Sequence, residues 1–293
     1  MLNRKTTIPL PRDIPFEFPD DIDPHWIYGD PEMSCMVNGS SLVMPYLEPF
    51  LVKSIRDCAA HIDEPLLKNE IKGFADQEVY HFKTHRRFNE ILKSKGYPEL
   101  AEHEQKMKAA YLKLSHKSLQ KRMAYTAGFE AMTMGITKWV IEDRVKLFAG
   151  ADTRVASFAI WHMVEETEHK CVAFDAYQAV FGSGLKAYWH RMLGVFHGSL
   201  HVLILSRAGY HIMLKKDGLW KSPKSRWRLW RRICWFTMAA GPYLIRAALP
   251  GHNPRQEKDP QWVLDWLEGY NKSDTTRAPL IDTHHPDMPV PFH

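Results

Sequence analysis

Two Glu-x-x-His motifs, each inside a long segment of helical periodicity, constrain this chain more than any other feature. They are Glu78-Val-Tyr-His81 and Glu166-Thr-Glu-His169. Positions i and i+3 of a helix share a face, so each motif presents one carboxylate and one imidazole to the same point. One such motif is common on helix surfaces. Two of them predict that two helices converge on a shared polar centre.

A lone glutamate precedes each motif. Glu48 lies thirty residues before Glu78, and Glu130 lies thirty-six residues before Glu166. Four helices that contribute Glu, Glu-x-x-His, Glu and Glu-x-x-His form the ligand set of a carboxylate-bridged two-metal site in a helical bundle. We therefore predict six metal ligands that are also catalytic residues, with lone glutamates as terminal ligands, motif glutamates as bridges and histidines as nitrogen ligands: Glu48, Glu78, His81, Glu130, Glu166 and His169.

The predicted ligand set favours particular metals. Four carboxylates carry a formal charge of −4, which two divalent ions cancel, so that the centre can be buried. Oxygen-rich ligation suits iron or manganese, and it suits zinc less well because zinc sites usually draw on more His or Cys. It also stabilises the higher oxidation states reached after dioxygen reacts. The prediction is two iron ions, with manganese or zinc as alternatives.

Several neighbouring side chains leave alternatives open. His162 lies four residues before Glu166 on the same helical face. It is either a further metal ligand or a packed histidine that hydrogen-bonds to a ligand. Glu165 and Glu168 adjoin the second motif but point elsewhere on the helix, so they are expected to be solvated or to support ligands, as is His85. The alternative to a metal centre is an ordinary polar network or a set of solvated side chains.

Composition narrows the class of protein. The 293 residues are 45% hydrophobic and 25% charged, which is ordinary for a soluble globular protein. A net charge of +5 is too small to argue for nucleic acid, although it is compatible with an acidic membrane surface. The four cysteines show no C-x-x-C and predict reduced thiols in a cytosolic protein. The N-terminus has no apolar signal segment, so secretion is not expected.

The chain is predicted to be all-α, with three segments. Residues 1–34 contain six prolines and are predicted to form an extended arm. Residues 35–184 are predicted to form a four-helix di-metal bundle, and residues 185–293 a helical elaboration and tail. From apolar periodicity and Pro and Gly signals, we expect helices at about 40–62, 65–95, 99–115, 117–148 and 152–181. The third of these is expected to cross between the two helix pairs.

The last segment has a different character. Its stretches 185–214 and 227–249 are apolar, aromatic and partly helical in period, and a basic loop separates them. Neither offers the ~20 uninterrupted apolar residues that a spanning helix needs. They are expected to be either two more packed helices or an interfacial hairpin that touches a membrane with a polybasic turn. The tail after Pro250 is expected to drape over the body.

The ligand series resembles the ferritin-like di-iron carboxylate superfamily over about residues 40–181. That resemblance implies a ferritin-like four-helix bundle with additional C-terminal helices. More narrowly, the Pro-rich start and the stretches Phe-Ala-Asp-Gln-Glu-Val-Tyr-His-Phe and Trp-His-Met-Val-Glu-Glu-Thr-Glu-His are similar to a bacterial family described as predicted metal-dependent hydrolases, over most of the chain. The placement of His162 resembles that in di-iron N-oxygenases, which carry a histidine one turn before their second motif.

The leading functional prediction is a non-haem di-iron oxidoreductase that activates dioxygen to oxidise a small, apolar organic substrate. The chain shows no flavin or nicotinamide fingerprint, so an electron-donor protein is expected as a partner. The alternatives are a two-metal hydrolase that activates water and a non-catalytic metal-binding or storage protein. No nucleic-acid partner is expected. The protein is expected to be cytoplasmic. A homodimer and peripheral contact with a membrane are the other associations that the sequence allows.

Overall fold

The computed structural model of the protein describes residues 8–273 and 276–292. These residues form α-helices and two short 3-10 turns, Leu219–Lys221 and Pro254–Gln256, without a β-strand. The helices are α1 (Pro31–Ser41), α2 (Met44–Ala59), α3 (Pro65–Ser94), α4 (Leu100–Ser115), α5 (Leu119–Glu142), α6 (Arg144–Phe148), α7 (Thr153–His169), α8 (Val172–Phe181), α9 (Leu185–Lys216), α10 (Pro223–Ala248) and α11 (Gln261–Lys272). The predicted all-α fold class is confirmed.

Two predicted helices are each divided in the structure. The helix predicted over 117–148 is interrupted at Asp143, which separates α5 from α6. The helix predicted over 152–181 is interrupted directly after the second motif, where Lys170 and Cys171 separate α7 from α8. The apolar periodicity continues across both breaks, so it did not reveal them.

Two helices lie in segments for which the sequence predicted none. The extended arm predicted over 1–34 is corrected at its end, because α1 begins at Pro31. The Asp30 carboxylate accepts a hydrogen bond from the Met33 amide, 3.1 Å away, and proline suits the first turn of a helix. The tail after Pro250, expected only to drape over the body, contains α11.

The remainder of the arm is packed rather than loose. Phe16 and Trp26 are fully buried, and the Phe16 ring lies 5.3 Å from that of Trp161 on α7. Pro9 passes so close to α3 that a Cβ atom on Gly73 would lie 2.2 Å from the Pro9 carbonyl oxygen. Close approach of this kind requires glycine. The arm is thereby fixed across α3 and α7, the two helices that carry the Glu-x-x-His motifs.

The C-terminal segment is joined closely to α5. Helices α5 and α9 form the most extensive helix pair of the described chain. A Cβ atom on Gly194 of α9 would lie 2.0 Å from the Ala124 carbonyl oxygen, and one on Gly128 of α5 would lie 2.3 Å from Gly194. One apolar core contains residues of the arm, of the central helices and of the C-terminal helices. The three-segment division stays a prediction.

Helices α2, α3, α5 and α7 carry the predicted ligands in the predicted order. Each of these helices contacts at least one of the others, and α2 pairs with α3 as α5 pairs with α7. The side chains between them are buried. Among the described residues, no helix is both long and apolar enough to cross a membrane.

Candidate metal centre

The structure brings all seven predicted metal-site residues together in the buried centre of these four helices. A first cluster contains Glu78, Glu130, Glu166 and His169, whose ligand atoms all lie within 4.8 Å of one another. The His169 Nδ1 atom lies 3.1 Å from Glu78 Oε1, 3.5 Å from Glu166 Oε2 and 4.0 Å from Glu130 Oε2. One imidazole nitrogen is thus surrounded by three carboxylates.

A second cluster lies beside the first. It joins Glu48, Glu78 and His81 in one group and His81, His162 and Glu166 in another. His81 Nδ1 lies 3.8 Å from Glu166 Oε1, and His162 Nε2 lies 3.7 Å from Glu48 Oε1. Glu78 and Glu166 occur in both clusters, which is the position predicted for bridging carboxylates.

The six core residues of this centre have inward-facing polar atoms without hydrogen-bond partners among the described residues. These atoms are both carboxylate oxygens of Glu48, Glu78 and Glu130, Oε2 of Glu166, and Nδ1 of His81 and His169. A buried polar atom left without a partner costs about 1–3 kcal/mol, and more for a charged group. Such a concentration is unusual in a folded protein. Two cations would satisfy these lone pairs, so the donor set fits divalent metal ions.

Burial and neighbouring charges act together on the pKa values of the residues in the centre. Burial raises the pKa of Glu48 and Glu130, and neighbouring carboxylates raise it further. Burial opposes charge on His169, but the Glu166 and Glu78 carboxylates outweigh burial and raise the pKa of His169. Burial likewise opposes charge on Glu166, and there the adjacent His169 and His162 outweigh it and lower the pKa of Glu166. Metal binding would therefore displace protons from the centre.

His81 is oriented from outside by a carboxylate. Its Nε2 atom lies 2.8 Å from Glu165 Oε2, and burial lowers the pKa of His81. Neutral His81 therefore donates its proton from Nε2 to Glu165 and turns the Nδ1 lone pair inward. The Arg12 guanidinium donates to the other Glu165 oxygen at 3.0 Å. Arg12, Glu165 and His81 form the carboxylate–histidine arrangement that is usual at metal sites.

His169 is oriented by an amide. Its Nε2 atom lies 2.8 Å from Gln77 Oε1. The Gln77 amide nitrogen donates to Leu10 O at 2.9 Å and to Glu168 Oε2 at 2.8 Å, which fixes Oε1 as the acceptor. Arg12 donates to Glu168 at 2.6 Å. The single Arg12 guanidinium thus supports the outer partners of both motif histidines.

His162 is oriented by a third chain of hydrogen bonds. The Ser41 hydroxyl donates to Asn89 Oδ1 at 2.7 Å, so it accepts from His85 Nδ1 at 2.8 Å. Burial lowers the pKa of His85, and its remaining nitrogen accepts from His162 Nδ1 at 2.6 Å. Because Nδ1 donates to His85, the Nε2 atom of His162 faces the centre, where it lies 2.8 Å from Glu166 Oε1.

The outer residues test the sequence expectations. Glu165, Glu168 and His85 are buried, so the alternative that they are solvated is wrong. Glu165 and His85 hydrogen-bond to predicted ligands, and Glu168 hydrogen-bonds to Gln77, the partner of His169. Four supporting residues were missed by the sequence analysis: Arg12, Ser41, Gln77 and Asn89. Of these four residues, Gln77 could have been found from the sequence, because it is adjacent to Glu78 of the first motif. Arg12 lies 153 residues from Glu165, and no helical periodicity relates them.

An elongated apolar cavity of about 450 Å³ lies beside the centre. It runs along α5 from Phe129 to Val140, twelve residues that span about 16 Å of helix. Methionine and aromatic side chains of α1, α5, α7 and α10 form part of its wall. His85 and His162 also line it, so the cavity reaches the centre on the His162 side.

Comparison with known proteins agrees with this geometry. A family model described as "predicted metal-dependent hydrolase" matches residues 10–258, and the chain belongs to that family. The match begins just before Arg12 and includes every residue of the centre. No curated protein and no solved structure gives a significant match. The family's description indicates a metal-dependent enzyme, and the buried carboxylate and histidine clusters indicate divalent-metal binding.

Proposed function

We propose that the protein is a two-metal enzyme whose ions are held by Glu48, Glu78, His81, Glu130, Glu166 and His169, with His162 as a seventh ligand. The observation that carries this proposal is the set of unpartnered inward-facing atoms on the first six residues. His162 is included because its hydrogen bond to His85 through Nδ1 leaves Nε2 facing the centre. Glu78 and Glu166 are assigned as bridges because both belong to both clusters.

We infer further that the reaction is oxidation of an apolar organic substrate by dioxygen. When bound, two iron ions would supply the electrons for dioxygen activation. Four anionic carboxylates cancel the charge of two divalent ions, which weakens their power to polarise a substrate but stabilises more highly charged ions. This charge balance favours redox chemistry. Repeated turnover would need electrons to return the oxidised ions to the ferrous state, and we propose that an electron-donor protein supplies them.

The chain's own residues would position the substrate and protect the centre. The cavity wall of methionine and aromatic side chains excludes water and offers contact to an apolar molecule. His162 and His85 are the polar groups through which the cavity meets the centre. Glu165 and Gln77 hold the motif histidines in the tautomer that leaves Nδ1 free for a metal. A substrate in the cavity would therefore approach from the His162 side.

The second candidate function is two-metal hydrolysis, and the family description favours it. In such an enzyme the metals would activate water and a nearby carboxylate would accept its proton. Glu165 is poorly suited to act as that base, because its two oxygens already hydrogen-bond to Arg12 and His81. The apolar cavity would restrict the substrates to esters or amides with large apolar groups.

One experiment separates the two reactions. Metal-free protein is loaded anaerobically with ferrous iron or with zinc, and oxygen consumption and the optical spectrum are then recorded on mixing with air-saturated buffer. Oxidation predicts rapid oxygen uptake and a new near-ultraviolet or visible band in the iron form. Hydrolysis predicts no oxygen response and turnover of apolar esters by the zinc or manganese form. Absence of an oxygen response from a fully iron-loaded centre would overturn the oxidation proposal.

A further inference from the structure

Helix α9 exposes an apolar stripe along most of its length. Its members recur every three or four residues, so they share one face of the helix: Leu185, Trp189, Leu193, Phe196, Leu200 and Ile204. Leu193 and Leu200 are 60% and 56% exposed. The opposite face of α9 packs on α5 and α1. Contiguous exposed apolar surface of this kind marks an interaction site rather than ordinary protein surface.

Helix α10 exposes a second stripe. Trp227 and Trp230 stack on each other with ring centroids 4.9 Å apart, and more than half of each side chain is exposed. Met238 and Ile245 continue the stripe and are 71% and 61% exposed. Exposed tryptophan next to basic residues is typical of segments that lie in a membrane–water interface.

Exposed residues next to the two stripes line the cavity. Leu203 of α9 and Ile233 of α10 are both exposed, and both line the cavity described above. Arg207, one turn after Leu203, is also exposed and lines the cavity. These exposed lining residues place an opening of the cavity at the α9–α10 face.

The charge around this face is strongly positive. Residues 185–249 contain twelve lysines and arginines and one acidic residue, Asp217. Four of the basic residues pair with carboxylates from other parts of the chain: Lys216, Arg228, Arg232 and Arg246. Among the described residues, no carboxylate lies within ion-pair distance of Lys221, Lys224, Arg226 or Arg231. These four side chains lie in the turn before α10 and in its first half, beside the exposed tryptophans. Basic side chains near an anionic membrane are attracted to its surface charge.

We propose that the α9–α10 face docks on the surface of an anionic lipid bilayer, with the cavity mouth against the lipid. Charge complementarity selects this occupant over a second copy of the chain. A two-fold dimer through this face would place like-charged basic segments near one another. The apolar stripes enter the headgroup and acyl boundary, and the basic side chains lie against lipid phosphates.

Docking would connect the lipid phase with the metal centre. An apolar or amphipathic substrate would enter between Leu203 and Ile233 without crossing bulk water, and Arg207 is placed to hold an anionic end at the mouth. This consequence rests on the proposed function. The docking itself does not, because it involves no residue of the metal centre.

The test is co-sedimentation of the full chain with vesicles of phosphatidylcholine alone or of phosphatidylcholine mixed with phosphatidylglycerol. The variant L193S/L200S removes two exposed leucines of α9. L264S/L280S is the matched control, because those leucines are 44% and 46% exposed and lie outside the α9–α10 face. We expect binding to the anionic vesicles, at least a tenfold weaker partition for L193S/L200S, and wild-type binding for the control.

Salt gives a second readout. Raising the ionic strength from about 0.1 M to about 1 M shortens the Debye length from about 10 Å to about 3 Å and should weaken the binding. Failure to bind anionic vesicles, or equal binding by L193S/L200S, would overturn the proposal. Sedimentation velocity is run on the same samples. A dimer that dissociates in L193S/L200S without vesicle binding would assign the face to a second copy instead. Vesicle binding without oxygen or ester chemistry would leave docking intact and overturn only the proposed reaction.

Discussion

Arg12 is the most informative residue to change, because one guanidinium supports both motif histidines. Its side chain is 3% exposed and donates to Glu165 at 3.0 Å and to Glu168 at 2.6 Å. The substitution R12M keeps a long apolar stem but leaves two buried carboxylates without a cation. At an effective dielectric constant of about 20, each such pair interacts by about 4 kcal/mol at 4 Å. Removing one partner of a buried pair costs about 3–5 kcal/mol. With two carboxylates stranded, we expect about 5 kcal/mol of lost stability.

The R12M substitution should also lower the affinity of the centre for metal ions. Burial raises the pKa of Glu165 to about 7, and Arg12 acts against that rise. Without Arg12 the pKa of Glu165 rises further, so this carboxyl is protonated at neutral pH. It then donates to His81 Nε2, and the imidazole proton moves to Nδ1, the atom proposed to bind metal. The loss of such an outer partner typically weakens metal binding 10–100-fold.

Urea denaturation of metal-free protein and competition with a metal chelator measure the two effects. R87M is the matched control, since Arg87 also holds the arm, through the Phe16 carbonyl at 3.2 Å, but does not contact the partners of the histidines. The double variant R12M/E168Q leaves one stranded carboxylate fewer and should recover part of the stability. If R12M lost no more stability and metal affinity than R87M, the proposed support of both histidines by Arg12 would be wrong.

Three further predictions concern other parts of the molecule. H85L removes the acceptor for His162 Nδ1 and should weaken metal binding 10–100-fold, as measured by chelator competition. The buried donor left unpaired should also cost about 1–3 kcal/mol of stability. G194A forces a Cβ atom to 2.0 Å from the Ala124 carbonyl oxygen and should destabilise the protein by about 1–3 kcal/mol or more, whereas G241A, whose Cβ atom would meet only Thr237 at 3.8 Å, should not. The hydrogen bond to Asp217 raises the pKa of His25. His25 therefore contributes stability that is fully present below its unfolded pKa of about 6.5 and is lost as pH rises through the folded pKa. H25Q should reduce the melting temperature more at about pH 6 than at about pH 9.

The convergence of the six predicted ligands was predictable because four helical segments carry the Glu, Glu-x-x-His, Glu, Glu-x-x-His series of a two-metal bundle. Glu78 and His81 share a face whatever the rest of the chain does, and so do Glu166 and His169. The breaks at Asp143 and after His169 were not predictable, because apolar periodicity continues through them. The support from Arg12 was not predictable either, since it depends on how the arm crosses Gly73 in three dimensions.

The C-terminal helices show a different limit. Their sequence was compatible with packed helices or with an interfacial hairpin. In the structure α9 packs closely on α5 through Gly194 and also exposes Leu193 and Leu200 on its other side. Periodicity identifies the two faces of such a helix but does not say which apolar face finds a partner. The cavity that opens between α9 and α10 arises from that packing and has no sequence signal.

The measurement that tests the central claim most directly is the metal content of the purified chain after anaerobic loading with ferrous iron and removal of excess metal. The account predicts two ions per chain for the wild type, nearly none for E166A, and two for E142A, which removes an exposed glutamate at the end of α5. Folding of each variant is checked by circular dichroism. A wild-type chain that retains no metal, or an E166A variant that retains both ions, would contradict the two-metal centre.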